Sequence, residues 1–149
     1  MIRVVGVSHR TAPLEVREAL AFPSEALPEA LHELVDEVGL SEAVILSTCN
    51  RVEVYGCAGP RSQEGNDPIL DFFVRHGGGD EERLRSHLYA LEDEAAVRHA
   101  FKVAASLDSM VIGEPQILGQ VKQAYQAAEA SGGLGTQLGA LRNRSLSAA

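Results

Sequence analysis

The chain has 149 residues, 45% of them hydrophobic and 23% charged, enough for one domain with a real core and too few for two ordinary ones. A formal net charge of −8 argues against non-specific binding to nucleic acid, because attraction to phosphate supplies most of that affinity. Apolar runs such as "AVIL" (43–46) are too short to span a bilayer, and "MIRVVGVSHR" lacks the layout of a signal peptide. A cytoplasmic protein with no membrane partner is the expectation. Cys49 and Cys57 lie eight residues apart with no export signal, so both read as free thiols, and the absence of CxxC and HExxH leaves a metal site unsupported.

Residues 2–8, "IRVVGVS", form a first strand by β-branched content. Pro13 opens a helix, "PLEVREALAF", with Thr11 or Ala12 at its cap. A second helix begins at Ser24, where Leu27, Leu31, Leu34, Val35 and Val38 recur at spacings of three and four before Gly39. "EAVILST" (42–48) is a strand of the buried type. "RVEVYGCA" (51–58) alternates Val52, Val54 and Gly56 against Glu53, Tyr55 and Cys57, which predicts a half-exposed strand. Cys49 to Arg51 is then a hairpin-length connection. A loop follows over 59–68, then a short helix, "PILDFFVRHGGG", and a fourth strand within 84–91. Helices are expected over 92–109 and 115–131, "GGLG" breaks the second, and "TQLGALRNRSLSAA" starts another. Strand, helix, hairpin, helix, strand is the ferredoxin-like pattern: an α+β fold with an antiparallel sheet and flanking helices. The last helix lacks a C-terminal stop, which suggests a piece of a longer protein.

"TCNR" (48–51) puts four polar or reactive residues directly after a buried strand. A lone cysteine is more often packing than chemistry. A functional one needs thiolate character and partial exposure, for which Arg51 would supply positive charge and Thr48 and Asn50 hydrogen-bonding groups. A nucleophilic thiol commonly has a histidine nearby. Of five histidines, His9 and His99 are the candidates, and the residues do not rank one above the other. Ser109, Glu114, Gln116 and Gln120 form a polar series in an apolar region, and Gln116 and Gln120 share a helix face. Together with Arg51 they suit a small ligand bearing an ammonium and a carboxylate, Glu114 for the first and Arg51 for the second. "GGLGTQLG" fails as a dinucleotide fingerprint: the third glycine position is Leu138, and a helix precedes it.

With "GVSHRTAPLEVRE" (6–18), "LSTCNRVEVY" (46–55) and "VAASLDSMVIGEPQILGQVKQAY" (103–125) in their order, the sequence resembles the glutamyl-tRNA reductase family over most of its length. The resemblance implies reduction of glutamyl-tRNA to glutamate-1-semialdehyde with NADPH, an early step of tetrapyrrole synthesis. It assigns Cys49 as the nucleophile that forms a thioester, and His99 as the histidine that matters for activity. It puts Thr48, Asn50, Arg51, Ser109, Glu114, Pro115, Gln116 and Gln120 around the glutamate. It also implies a catalytic domain over 1–133 and the start of a connecting helix over 134–149, with the NADPH-binding and homodimerising parts elsewhere. Two other readings compete: a non-catalytic ligand-binding or regulatory module, and a Cys/His hydrolase, for which the usual third orienting residue is missing.

Overall fold

The computed structural model describes residues 1–59, 67–77, 79–105 and 115–148, without the side chains of Pro115 and Gln116. Strands β1 (Ile2–Ser8), β2 (Glu42–Ser47), β3 (Arg51–Cys57) and β4 (Tyr89–Glu92) form one antiparallel sheet in the order β2-β3-β1-β4. That is the ferredoxin-like order the sequence pattern predicts. Helices α1 (Leu14–Leu20), α2 (Leu27–His32, continued by a π-helical turn at Glu33–Glu37), α3 (Pro68–Gly77) and α4 (Glu81–His87) precede β4. Helices α5 (Asp93–Ala104), α6 (Pro115–Ala130) and α7 (Thr136–Ala148) follow it.

The sheet is covered on both faces. Val5, Val7, Ala43, Ile45, Val52 and Val54 pack with Leu20, Leu31, Phe72 and Phe73 of the early helices. On the other face Val4, Val44, Leu46, Tyr55 and Cys57 pack with Ala96, Ala100, Val121, Tyr125 and Leu138 of the late ones. Each large apolar side chain removed from water in this way contributes roughly 1.5–3 kcal/mol. This overturns the expectation of a half-exposed β3. All seven of its residues are buried, because β3 lies between β2 and β1 and because α5 to α7 cover the face that Glu53, Tyr55 and Cys57 occupy.

Two further boundaries differ from expectation. The segment 84–91 is helical up to His87 and extended only from Tyr89. The Asp80 carboxylate caps the N–H groups of Glu82 and Arg83, which starts α4 and carries the helix through Leu84. At α1 the cap position falls to Pro13. The Thr11 hydroxyl is used instead to accept from the Ser8 N–H at 3.0 Å, closing the turn after β1. Gly39 takes φ 92° at the end of the second helical segment, and Gly132 takes φ 76° after α6, conformations that glycine adopts without strain. Among the described residues no helix is long and apolar enough to cross a membrane.

Candidate active site

The β2–β3 connection is Thr48 to Asn50, one residue earlier than its expected place. Thr48 holds it. Its hydroxyl oxygen accepts from the N–H groups of Asn50 and Arg51, both at 3.2 Å, and its own N–H donates to the Arg51 carbonyl at 2.8 Å. A threonine that captures the following backbone donors makes a tight, rigid turn. Two neighbours brace it from outside. The His9 N–H donates to the Asn50 carbonyl at 2.7 Å, and the half-buried Arg17 guanidinium donates to the Cys49 carbonyl. With its carbonyl held and its turn fixed, Cys49 is exposed, and its thiol lies 3.8 Å from Asn50 Oδ1.

The thiol opens onto a cleft of about 550 Å³ between α1, the β2–β3 turn and α6, lined by Arg17, Phe22, Ser47, Thr48, Cys49 and Gln120 among others. A second cavity of about 440 Å³ shares Phe22, Ser47 and Gln120 and continues along α6 to Gln123. The Phe22 N–H donates to Ser47 Oγ at 2.9 Å, which pins the end of α1 to the end of β2 and sets the floor between them. Each cavity is of a size that takes a small organic ligand.

Beneath α5 lies a buried polar group. Arg51 and Glu53 are both 0% exposed. Being two apart on β3, they point to the same sheet face. Arg51 Nη1 stands 3.5 Å from Glu53 Oε2. His99 Nε2 and the Tyr89 hydroxyl also meet Oε2, and the Tyr55 hydroxyl donates to Oε1 at 3.0 Å. The Tyr89 and His99 rings pack with centroids 5.6 Å apart. Burial alone would raise the Glu53 carboxyl, but the bond and charge of His99, the Arg51 guanidinium and the Tyr89 hydroxyl outweigh it and hold the carboxyl below its ordinary value. Burial and the Glu53 charge push the Tyr55 phenol well up, so it stays a donor.

The residues singled out in the sequence therefore fall into two adjoining groups. Thr48, Cys49 and Gln120 line the cleft, with Asn50 next to the thiol. Arg51 and His99 join through Glu53 on the inner face of β3. Ser109 and Glu114 lie outside the described residues, as do the side chains of Pro115 and Gln116. His9 touches the cysteine turn through its backbone, and His99 meets the buried carboxylate through its ring, so each histidine candidate has a place near the turn or the strand that follows it. Glu53, Tyr89 and Arg17 were not foreseen. For Glu53 the signal is the period of two, Arg51–Glu53–Tyr55, on a face whose polar residues read as solvent-facing in sequence. Among the described residues no cluster of three or more His, Cys, Asp or Glu side chains could hold a metal ion.

Comparison with known proteins fits this geometry. The family model described as "Glutamyl-tRNAGlu reductase, N-terminal domain" matches residues 5–149. The glutamyl-tRNA reductase of Solibacter usitatus is 52% identical over 149 residues, covering 98% of this chain and 34% of that protein. The glutamyl-tRNA reductase of Methylococcus capsulatus is 47% identical, over 99% of this chain and 34% of that protein. The solved structure of the glutamyl-tRNA reductase from Methanopyrus kandleri superposes with a TM-score of 0.77 at 34% identity, over 98% of this chain and 32% of that one. The chain thus spans about a third of the length of these relatives, and over that third it belongs to the glutamyl-tRNA reductase family, as its N-terminal domain.

Proposed function

We propose that this chain carries the thioester-forming site of an NADPH-dependent glutamyl-tRNA reductase, the enzyme that opens tetrapyrrole synthesis. The observation that carries the reading is the exposed Cys49 thiol on a braced turn, facing a ligand-sized cleft. In this reading the Cys49 sulfur attacks the ester carbonyl of glutamyl-tRNA. A C–S bond forms, the bond to the terminal ribose oxygen breaks, and that oxygen leaves with a proton relayed from the thiol. An ester is captured as a thioester, which is the more electrophilic acyl group, so one hard step becomes two easier ones. Gln120 and Asn50 offer side-chain amides to the glutamyl part, and the family resemblance adds Ser109, Glu114, Pro115 and Gln116 around it, with the Glu114 carboxylate for the ammonium. Arg51 and His99 supply positive charge and proton transfer from the inner face of β3. Arg17, half-buried, is a cation on the wall of the cleft and would meet the tRNA end there. With a net charge of −8, tRNA recognition by this chain is local and centred on the aminoacyl end.

The described residues do not fit a dinucleotide. The sheet is wholly antiparallel, and the N-terminus of α7 after "GGLG", where a pyrophosphate would sit, is taken by the Glu42 carboxylate. NADPH binding, reduction to the semialdehyde and homodimerisation are therefore assigned to the two thirds of the family length that this chain does not span, in a cytoplasmic protein. The test is to incubate the chain with glutamyl-tRNA and seek a glutamyl adduct by mass spectrometry. The adduct is expected on Cys49 and absent from Cys49→Ser. A folded chain that forms none overturns the proposal.

A further inference from the structure

We propose that Glu53 is the positioning residue of this site: its buried carboxylate accepts from His99 Nε2 and locks the imidazole in the tautomer whose bare nitrogen is Nδ1. The proposal rests on the cysteine-thioester reading and names the group that orients its base.

The argument is one of donors and acceptors. Glu53 is 0% exposed and meets four groups: the Tyr55 and Tyr89 hydroxyls, His99 Nε2 and the Arg51 guanidinium. Two phenols donate to the carboxylate, and the Arg51 guanidinium, always a cation, stands 3.5 Å from it as an ion pair. A carboxylate that accepts from two phenols beside a guanidinium is ionised and has no proton to give. The hydrogen between Glu53 and His99 therefore sits on Nε2. A neutral His99 is left with its lone pair on Nδ1. Tyr89 packs against the ring and donates to the same carboxylate oxygen, so the imidazole is held both in plane and in rotation.

The consequence for the reaction is specific. If His99 is the base of the proposed reaction, Nδ1 is the one ring atom left to accept the thiol proton, because Nε2 is held by Glu53. The resulting imidazolium then keeps both protons, with Nε2–H facing the Glu53 anion, until Nδ1 gives its proton to the departing ribose oxygen. Glu53 remains ionised throughout: it orients and balances charge, and it does not carry protons. This is the third orienting residue that a Cys/His pair ordinarily has. It comes from β3, two residues after Arg51, while the imidazole comes from α5.

The test has two parts. The first uses the unaltered chain labelled with ¹⁵N-histidine, with His99→Gln for assignment, at about pH 9, where an ordinary imidazole is neutral. The proton is expected on Nε2. A proton on Nδ1, or a mixture of tautomers, overturns the proposal. The second compares glutamyl-adduct formation in Glu53→Gln, which keeps the shape but frees either tautomer. The rate is expected to fall about 10²-fold, the lower end of what a well-placed base contributes, with binding of glutamyl-tRNA unchanged. An unchanged rate in the folded variant overturns the positioning role. An unaltered chain with the proton on Nε2 but no adduct overturns the thioester reading and not the orientation of His99.

Discussion

Replacing Glu42 by Gln should loosen the whole late half of the chain. Glu42 is 6% exposed at the start of β2, and its carboxylate accepts three backbone N–H groups at the N-terminus of α7. Oε1 takes Gly135 at 2.7 Å and Leu138 at 2.9 Å, and Oε2 takes Gln137 at 3.2 Å. A glutamine oxygen can replace Oε1. Its amide NH2 then faces the Gln137 N–H, donor against donor. One charge-assisted bond is lost, worth about 1.5–3 kcal/mol. The negative charge at a buried helix N-terminus is lost as well, worth up to about 2 kcal/mol. The sum is a destabilisation of about 1.5–5 kcal/mol. Urea unfolding followed by far-ultraviolet circular dichroism should read this as a lower midpoint with the slope unchanged. A change below about 0.5 kcal/mol, the level of an ordinary surface substitution, would refute the reasoning. It would mean that the N–H groups of α7 are satisfied by water and that the helix is not fastened to β2.

Gly6→Ala should cost about 2–3 kcal/mol or more, because its Cβ would stand 2.3 Å from the Val52 carbonyl oxygen and 2.8 Å from Glu53 Cα, in a strand paired on both sides; thermal unfolding measures it, and an unchanged midpoint contradicts it. The two thiols should differ in reactivity. Cys57 is 0% exposed and pushed up to about 12 by burial and by Glu42, so iodoacetamide at neutral pH should label Cys49 alone, as read by peptide mass spectrometry. Glu53 should make the chain acid-sensitive. Its folded carboxyl lies below the unfolded value of about 4.3, so its contribution is complete above that value and is lost as pH falls through the folded one. Glu53→Gln should show a shallower loss of stability with acid over that range, and equal slopes would count against the ionised carboxylate.

The strand order, the helices other than α4 and the cysteine turn were legible because each has a local cause. β-branched content marks β1, a short apolar run marks β2, spacings of three and four mark the second helical segment and α6, and Gly39 and Gly132 sit where a positive φ is needed. Burial of the second sheet face was not legible in the same way. Glu53 and Arg51 look like solvent residues in any short window, and only the arrival of α5 to α7 from forty residues and more downstream makes them internal. The same distance hid the partner of His99, since Glu53 precedes it by 46 residues. Arg17 was missed for a related reason. Its role is to hold a carbonyl 32 positions away, and a lone arginine on a short helix carries no mark of that. Residues that act through neighbours in sequence could be read. Those that act through neighbours in space needed the fold.

The fastening of the α6–α7 turn to β2 also bears on how the chain behaves in company. β2 is an outer strand, and such a strand offers unpaired backbone groups to any other chain. Here the Ala43 N–H is spent on the Gly133 carbonyl at 2.8 Å, and a Cβ on Gly133 would meet the Ala43 oxygen at 2.7 Å, so only glycine lets the turn lie this close. The opposite edge, β4, is four residues long and carries Glu92 bonded to Arg3. One edge is capped at Ala43 by a glycine turn and the other is short and charged, devices that discourage strand addition. Loss of the turn would free the β2 edge to recruit copies of the chain, so aggregation would accompany the loss of stability.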